Sequence, residues 1–270
     1  MFSKSFRSFT VAIAAACLMP SCLPAPKYVD LTQKNRIAVV SFTLNESITM
    51  EDGDTQDSGP GLFQKVAMVF ENESGDGYLQ EALNQIWAQF RENIQEALLG
   101  IPLVDFDEIV NNEQLLALTA PVRRIILGTD ISSDAGMLKP EGLNYVGASD
   151  SKILDSICTI LGTDLLLLVT NEAQYAKASS SMRAQISNVT IAQTQKSHII
   201  LTTTLYIYEK GNGIIATESF KTKSDDKMQI TWKSSDAAHY PKLMAQANAK
   251  AYKKIKERFL FHKNKLAGQK

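Results

Sequence analysis

The chain has 270 residues, 44% of them hydrophobic and 21% charged, an ordinary globular composition with enough apolar residues for a sizeable core. That length allows one large domain or two small ones. A formal net charge of −1 excludes a bulk field that would draw the protein to nucleic acid or to an anionic surface.

Residues 1–22 differ from the rest. Lys4 and Arg7 form a positive start, and Phe9–Met19 is an apolar run of 11 residues. That run is too short to cross a bilayer, which takes roughly 20 residues, but it suits the apolar region of a signal peptide. "PSC" follows and ends at Cys22. This segment resembles a bacterial lipoprotein signal, whose terminal cysteine is diacylated on its thiol, cleaved on its amino side and acylated again. The resemblance implies lipidation at Cys22. The usual pattern has leucine three places before the cysteine, where this chain has Met19, with Leu18 one further back and Pro20 next. Cys17 is a rival site, although it would leave a very short apolar region. A plain secretory signal cut near Ser21 and an uncleaved anchor are the alternatives.

Cleavage before Cys22 removes Lys4 and Arg7, two positive charges, and takes the formal charge from −1 to −3. With Cys22 acylated, Cys158 is the remaining cysteine of the mature chain, so no intramolecular disulfide is available. A triacylated cysteine exceeds the two signals that stable anchoring needs. Residues 22–35, with Pro24 and Pro26, read as a tether.

"RIAVVSF" (36–42) is a buried strand by its β-branched, apolar run. Residues 51–61 hold acids, Gly, Ser and Pro and read as a solvated loop. Residues 62–70, "LFQKVAMVF", fit a second strand or a short helix equally well. "SGDGY" breaks the chain before the strongest helix. There Leu79, Leu83, Ile86, Trp87, Phe90, Ile94, Ala97 and Leu98 share one face, and Gly100 is placed to stop it. "IPLVDF" (101–106) is a short strand. A further helix opens with Asp107 as candidate N-cap. Residues 119–150 are the least regular, with "PVRRIIL" a short strand or helix and a loop-rich remainder.

"SDSKILDSICTILG" is a helix capped by Ser149 or Asp150, with Ile153, Leu154, Ile157 and Leu161 as its stripe and Gly162 as its end. "LLLLVT" after it is a strand covered on both faces. "SHIILTTTLYIYEKGNGIIATESF" alternates, turns at "EKGNG" and returns as an antiparallel hairpin. The last helix buries Leu243, Ala247, Ala251, Ile255 and Phe259 and turns its lysines to water, and residues 263–270 form a basic tail.

The order of these elements resembles a periplasmic domain shared by three kinds of envelope protein (a TolB-N-terminal-like, CsgG-like group). They are the N-terminal module of the Tol-system propeller protein, the curli secretion lipoprotein and the penicillin-binding-protein activator lipoproteins. "IAVVSF", "IWAQFRENIQEALLG-IPLVDFDEIV", "ILGTDLLLLVTNEAQY" and "TTLYIYEKGNGIIATESF" carry the resemblance, over most of residues 36–260. Thr170–Asn171 stands where the group has a glycine, and residues 44–78 and 119–150 are insertions. The expectation is an α/β (α+β) fold with a single mixed sheet of about four to six strands flanked by amphipathic helices. One domain is expected over residues 36–262, with inserted loops at about 44–61 and 119–150.

Motifs of catalysis are missing. His198, His239 and His262 are isolated, and H-x-x-x-H, C-x-x-C, G-x-S-x-G, Walker and G-x-G-x-x-G patterns do not occur. A calcium loop starting at Asp52 needs Gly and Glu where the chain has Asp57 and Phe63. Cys158 sits by an apolar stripe and reads as a small core residue. No catalytic, cofactor-binding or metal-binding residue is assigned, and no cofactor is expected. The expectation is therefore a non-enzymatic, lipid-anchored protein of the bacterial cell envelope. It would lie on the periplasmic face of the outer membrane or at the cell surface, and bind other envelope proteins. Two alternatives stand beside it. One is an oligomeric secretion-channel subunit similar to the curli exporter. The other is an enzyme with a site in the inserted loops, where Asp130, Asp134 and Glu141 are acids without a distinguishing pattern.

Overall fold

A computed structural model describes residues 36–50, 75–98, 101–126, 129–176, 185–186, 189–190, 195–230 and 237–267. The signal segment, the tether, the acidic loop 51–61 and the ambiguous segment 62–70 lie outside these residues.

The apolar runs form one mixed sheet. Its main strands are β1 (Ile37–Asn45), β5 (Met137–Leu138), β6 (Leu165–Tyr175), β10 (Ile199–Glu209) and β11 (Gly213–Lys223), in the order β11-β10-β6-β1-β5. β1 and β6 are parallel, and the other pairs in this path are antiparallel. The two-residue β2 (Thr49–Met50) joins the far end of β6. Four short strands, β3 (Arg123–Ile126), β4 (Thr129–Ser132), β7 (Gln185–Ile186) and β8 (Val189–Thr190), make two small hairpins. β9 (Gln195–Ser197) pairs with β12 (Met228–Ile230). The fold is thus α/β around a single mixed sheet.

β6 is central, and its composition follows from what covers it. Leu165 to Val169 are all buried. On one face of the sheet α1 (Gly75–Ala97) packs against β1, and α5 (Tyr240–Ala267) packs against β10, β11 and α1. There Phe42 meets Trp87 and Phe90 at ring-centroid distances of 4.9 and 5.0 Å, and Phe90 meets Tyr252 at 6.1 Å. The other face of the sheet is covered by α4 (Ser151–Leu161), which packs on β6. Eleven residues of helix reach only about 16 Å, so beyond Val169 the strand turns to alternation, with Glu172 exposed and Ala173 buried. Thr202, Thr204 and Ser219 on the neighbouring strands share this partly open polar face.

Every residue of the expected stripe on α1 is buried except half-buried Trp87. The helix starts earlier than the glycines suggest, at Gly75. The first turn makes few intrahelical bonds, so Gly there costs little. The expected strand over 101–106 is a correction. A single bridge pairs Leu103 with Ile37, and Phe106 already belongs to α2 (Phe106–Val110). The expected N-cap Asp107 is a second correction, because the Asp105 side chain accepts the Asp107 N–H at 3.0 Å and does the capping. The single helix expected from Asp107 is a third. It breaks at Asn111, and α3 (Glu113–Leu118) starts afresh with Asn112 accepting from Leu115 N–H at 2.9 Å.

α4 begins as expected, with Asp150 accepting the Ile153 N–H at 3.2 Å. It ends at Gly162, whose φ of 58° is the left-handed region that a side chain resists. Residues 119–150 carry β3, β4 and β5 rather than loop alone. The hairpin of β10 and β11 forms as expected, with Gly211 and Gly213 both at positive φ in its turn. α5 buries Leu243, Ala247, Ala251, Ile255 and Phe259, and its helical backbone continues through Ala267 into the stretch expected as a basic tail.

Candidate functional site

Cys22, the expected lipidation residue, and its rival Cys17 lie outside the described residues.

A cleft of about 390 Å³ opens where α3, the β3–β4 hairpin and the start of α4 meet, lined by Leu118, Val122, Ser133, Tyr145, Ser149 and Ile153 among others. Its walls are tied by local bonds. Asn144 donates to Leu116 O at 3.3 Å and to the Thr119 hydroxyl at 3.1 Å. The Val146 N–H donates to the Ser41 hydroxyl at 3.3 Å, and the Val122 N–H donates to the Ser133 hydroxyl at 3.0 Å. Val122 is 56% exposed at the rim. The cleft offers hydroxyls and apolar surface, and Asp150 at its edge is committed to capping α4.

The loop acids do not assemble into a reactive pair. Asp134 is held by Lys139 and by the Ser132 hydroxyl, and these bonds keep its carboxyl below the usual range. An acid stabilised as the anion in this way is a poor proton donor at neutral pH. Glu141 is exposed. Asp130 lies on β4, and its side chain is outside the described residues.

Two of the histidines come near Asp226, His198 at its backbone carbonyl and His239 through a charge interaction with its carboxylate. His198 Nδ1 lies 2.9 Å from Ser224 O and 3.2 Å from Asp226 O, which places a proton on that nitrogen. Burial, and next Lys223, push its pKa below the ordinary value. His239 lies in a short 3₁₀ turn, and the side chain of His262 is outside the described residues. Among the described residues no group of three or more His, Cys, Asp or Glu side chains is placed to hold a metal ion. Cys158 is 1% exposed, and burial pushes its thiol up to about 11, far from a reactive thiolate.

Two features were not legible beforehand. The first is a buried polar chain across the sheet, at the position where the resembled group carries glycine. Asn171, 2% exposed, donates to Thr43 O at 3.0 Å and accepts from the Thr203 hydroxyl at 2.8 Å. The second is a row of lysines along β11. Lys221 and Lys223 meet Lys250 and Lys254 of α5 around a cleft of about 490 Å³. Their spacings, alternate on a strand and one turn apart on a helix, were the available signal.

No protein-family model matches the chain, and comparison with curated proteins finds no match. Among the described residues no helix is long and apolar enough to cross a membrane.

Proposed function

We propose that the protein is a lipoprotein of the bacterial envelope, anchored through acylated Cys22, whose α/β domain binds other envelope proteins without catalysis. One observation carries the reading: Lys4 and Arg7, then the apolar run Phe9–Met19, then Pro20, Ser21 and Cys22. A positive start, an apolar stretch too short to span and a cysteine at its end is the arrangement that lipoprotein processing acts on. The tether of residues 23–35 then allows the domain a reach of about 45 Å from the bilayer.

The order of strand, long helix, two short helices, helix, central strand, hairpin and terminal helix supports kinship with the periplasmic domain group named above. Within that reading the domain acts by contact. Asp134 is committed to an ion pair and Cys158 to the core, and the cleft beside α4 presents hydroxyls and apolar surface suited to a peptide-like partner.

The test is metabolic labelling with palmitate. Native protein is expected to take up label and to partition into detergent, and Cys22→Ala is expected to lose both. A Cys22→Ala protein that still labels and stays membrane-bound would overturn Cys22 as the anchor, and loss of label in Cys17→Ala instead would move the anchor there. Mild crosslinking of native cells, followed by purification, is expected to recover envelope proteins.

A further inference from the structure

β11 is a long edge of the sheet, with β10 as its one strand partner among the described residues. At the opposite side the sheet ends on the two-residue β5 and on the bridge from Ile37 to Leu103. The Ser224 N–H donates to Ile199 O at 2.8 Å, which sets Ser224 in a hydrogen-bonded pair with the neighbouring strand. Such pairs alternate along an antiparallel ladder, so Thr222, Phe220 and Glu218 also turn their backbone groups toward β10. Thr217, Ser219, Lys221 and Lys223 therefore turn their N–H and C=O groups outward. A row of outward groups is a template on which another strand can pair.

α5 runs along this edge with polar side chains one turn apart, from Lys242 to Arg258, each joined to β11 or to the turn after it. Lys242 Nζ meets Asp226 Oδ2 at 2.7 Å. Gln246 Oε1 accepts from the N–H groups of Asp225 and Asp226 at 3.1 and 3.0 Å. Lys250 Nζ donates to Lys223 O and Lys254 Nζ to Lys221 O, each at 2.8 Å. Arg258 Nε meets Glu218 Oε1 at 3.2 Å. The buried Thr222 hydroxyl donates to Ala247 O at 2.8 Å and fixes the helix against the strand. The two lysine bonds fall on the outward carbonyls that a neighbouring strand would use.

The start of β11 is interrupted in another way. Ile207 pairs with Ala216 and Tyr208 with Ile214, so Ile215 is an extra residue that bends and twists the strand. Between this bulge and Lys221, the regular outward positions are Thr217 and Ser219. That stretch is shorter than the usual strand of about five or six residues. Exposed charged contacts of the kind α5 makes add little to stability, so what the ladder covers accounts for it better than what it holds up.

We propose that the α5 ladder seals the β11 edge, with Lys250 and Lys254 capping its carbonyls, and keeps the domain from pairing edge to edge with a second copy of itself. Antiparallel pairing of β11 with the same strand of a second copy, about a two-fold axis, draws the same outward groups from both chains, so each capped carbonyl counts twice. Uncapped, the edge joins two sheets into one. The inference needs only the sheet and α5, and it holds whether or not Cys22 is acylated.

The test is self-association of the mature chain, residues 22–270, carrying Cys22→Ser so that no lipid contributes, followed by sedimentation velocity over a range of concentrations. The parent is expected to be monomeric. Lys250→Ala with Lys254→Ala is expected to dimerise, with a dissociation constant about tenfold or more below the parent's, and to keep the parent's urea midpoint. Ser219→Pro removes an outward N–H and leaves the bonds to β10 in place. Added to the double variant, it is expected to restore the monomer. Lys152→Ala, which removes an exposed charge on α4, is expected to change nothing. Four results would overturn the proposal: a parent that already dimerises, a double variant that stays monomeric, dimers that survive Ser219→Pro, or equal association by Lys152→Ala. A double variant that is less stable yet monomeric makes the ladder a brace for α5 rather than a seal. If the double change unfolds the chain, Lys254→Ala alone is read by the same criteria.

Discussion

The Tyr208 hydroxyl donates to the Asp155 carboxylate across 2.8 Å, and the same carboxylate oxygen accepts the Gly211 N–H at 3.0 Å. One side chain of α4 thereby holds both the end of β10 and the turn that follows it. The turn is at that place because Gly211 and Gly213 adopt positive φ, and the helix is at that place because Gly162 lets the chain leave it directly into β6.

The Gly211 N–H, and next the Tyr208 hydroxyl, hold the Asp155 carboxyl below its ordinary range. A carboxyl depressed on folding adds stability above its unfolded pKa of about 3.9 and loses it as pH falls through the folded value. Asp155→Asn is expected to be less stable than the parent at neutral pH and to show a shallower loss toward acid, measured by urea unfolding at a series of pH values. Tyr208→Phe is expected to cost about 1 kcal/mol through its lost bonds to Asp155 and Ser151 O. Parallel pH curves for the parent and Asp155→Asn would show that the bond has no thermodynamic weight.

The Asn171–Thr203 bond predicts strong non-additivity. Asn171→Val leaves the buried Thr203 hydroxyl and Thr43 O without their partner, at a cost of about 2–3 kcal/mol. Thr203→Val strands the other end. Replacing both leaves a nearly apolar pair, so the double variant is expected to be more stable than the sum of the single losses implies. Urea midpoints of the four proteins measure the coupling, and additive losses would refute it.

Cys158 is buried on the inner face of α4, and its thiol is pushed up to about 11 by burial. In the mature chain carrying Cys22→Ser, a thiol reagent at neutral pH is expected to leave it unmodified in buffer and to modify it fully in denaturant. Fast modification of the native protein would mean that the α4 layer opens readily.

Much of the fold was legible along the chain because burial imprints a period. The stripe from Leu79 to Leu98 writes a helix packed on one side. The unbroken run Leu165–Val169 writes a strand covered twice, and the alternation from Ile199 to Tyr208 writes a strand covered once or unevenly. In each case the residue's environment repeats with the local geometry, so residue type repeats with it.

Caps and breaks were less legible. Asp105 and Asp107 both precede apolar residues at helical spacing, and composition alone does not choose between them. The choice comes from across the sheet. Ile37 N–H donates to Pro102 O and Val104 N–H donates to Ile37 O, at 3.0 and 2.9 Å, and these bonds hold 102–104 extended. The helix starts at the first residue freed from them, and Asp105 becomes its cap.

The amino-terminal pattern ending in Cys22 needs no fold, because the processing it suggests would read a linear segment. The sequence by itself likewise determined the long strands and helices, Ile37–Asn45, Leu165–Tyr175, the hairpin, and the helices from Gly75, Ser151 and Tyr240, together with their apolar faces, since those properties depend on neighbours within a turn or two. Only the tertiary structure decided that Asn171 is bonded on both sides and that Asp155 is tied to the hairpin turn. It also brought Lys250 and Lys254 to rest on the carbonyls of Lys223 and Lys221. These contacts join residues far apart in the chain, and the packing of helix on sheet that makes them leaves no period behind.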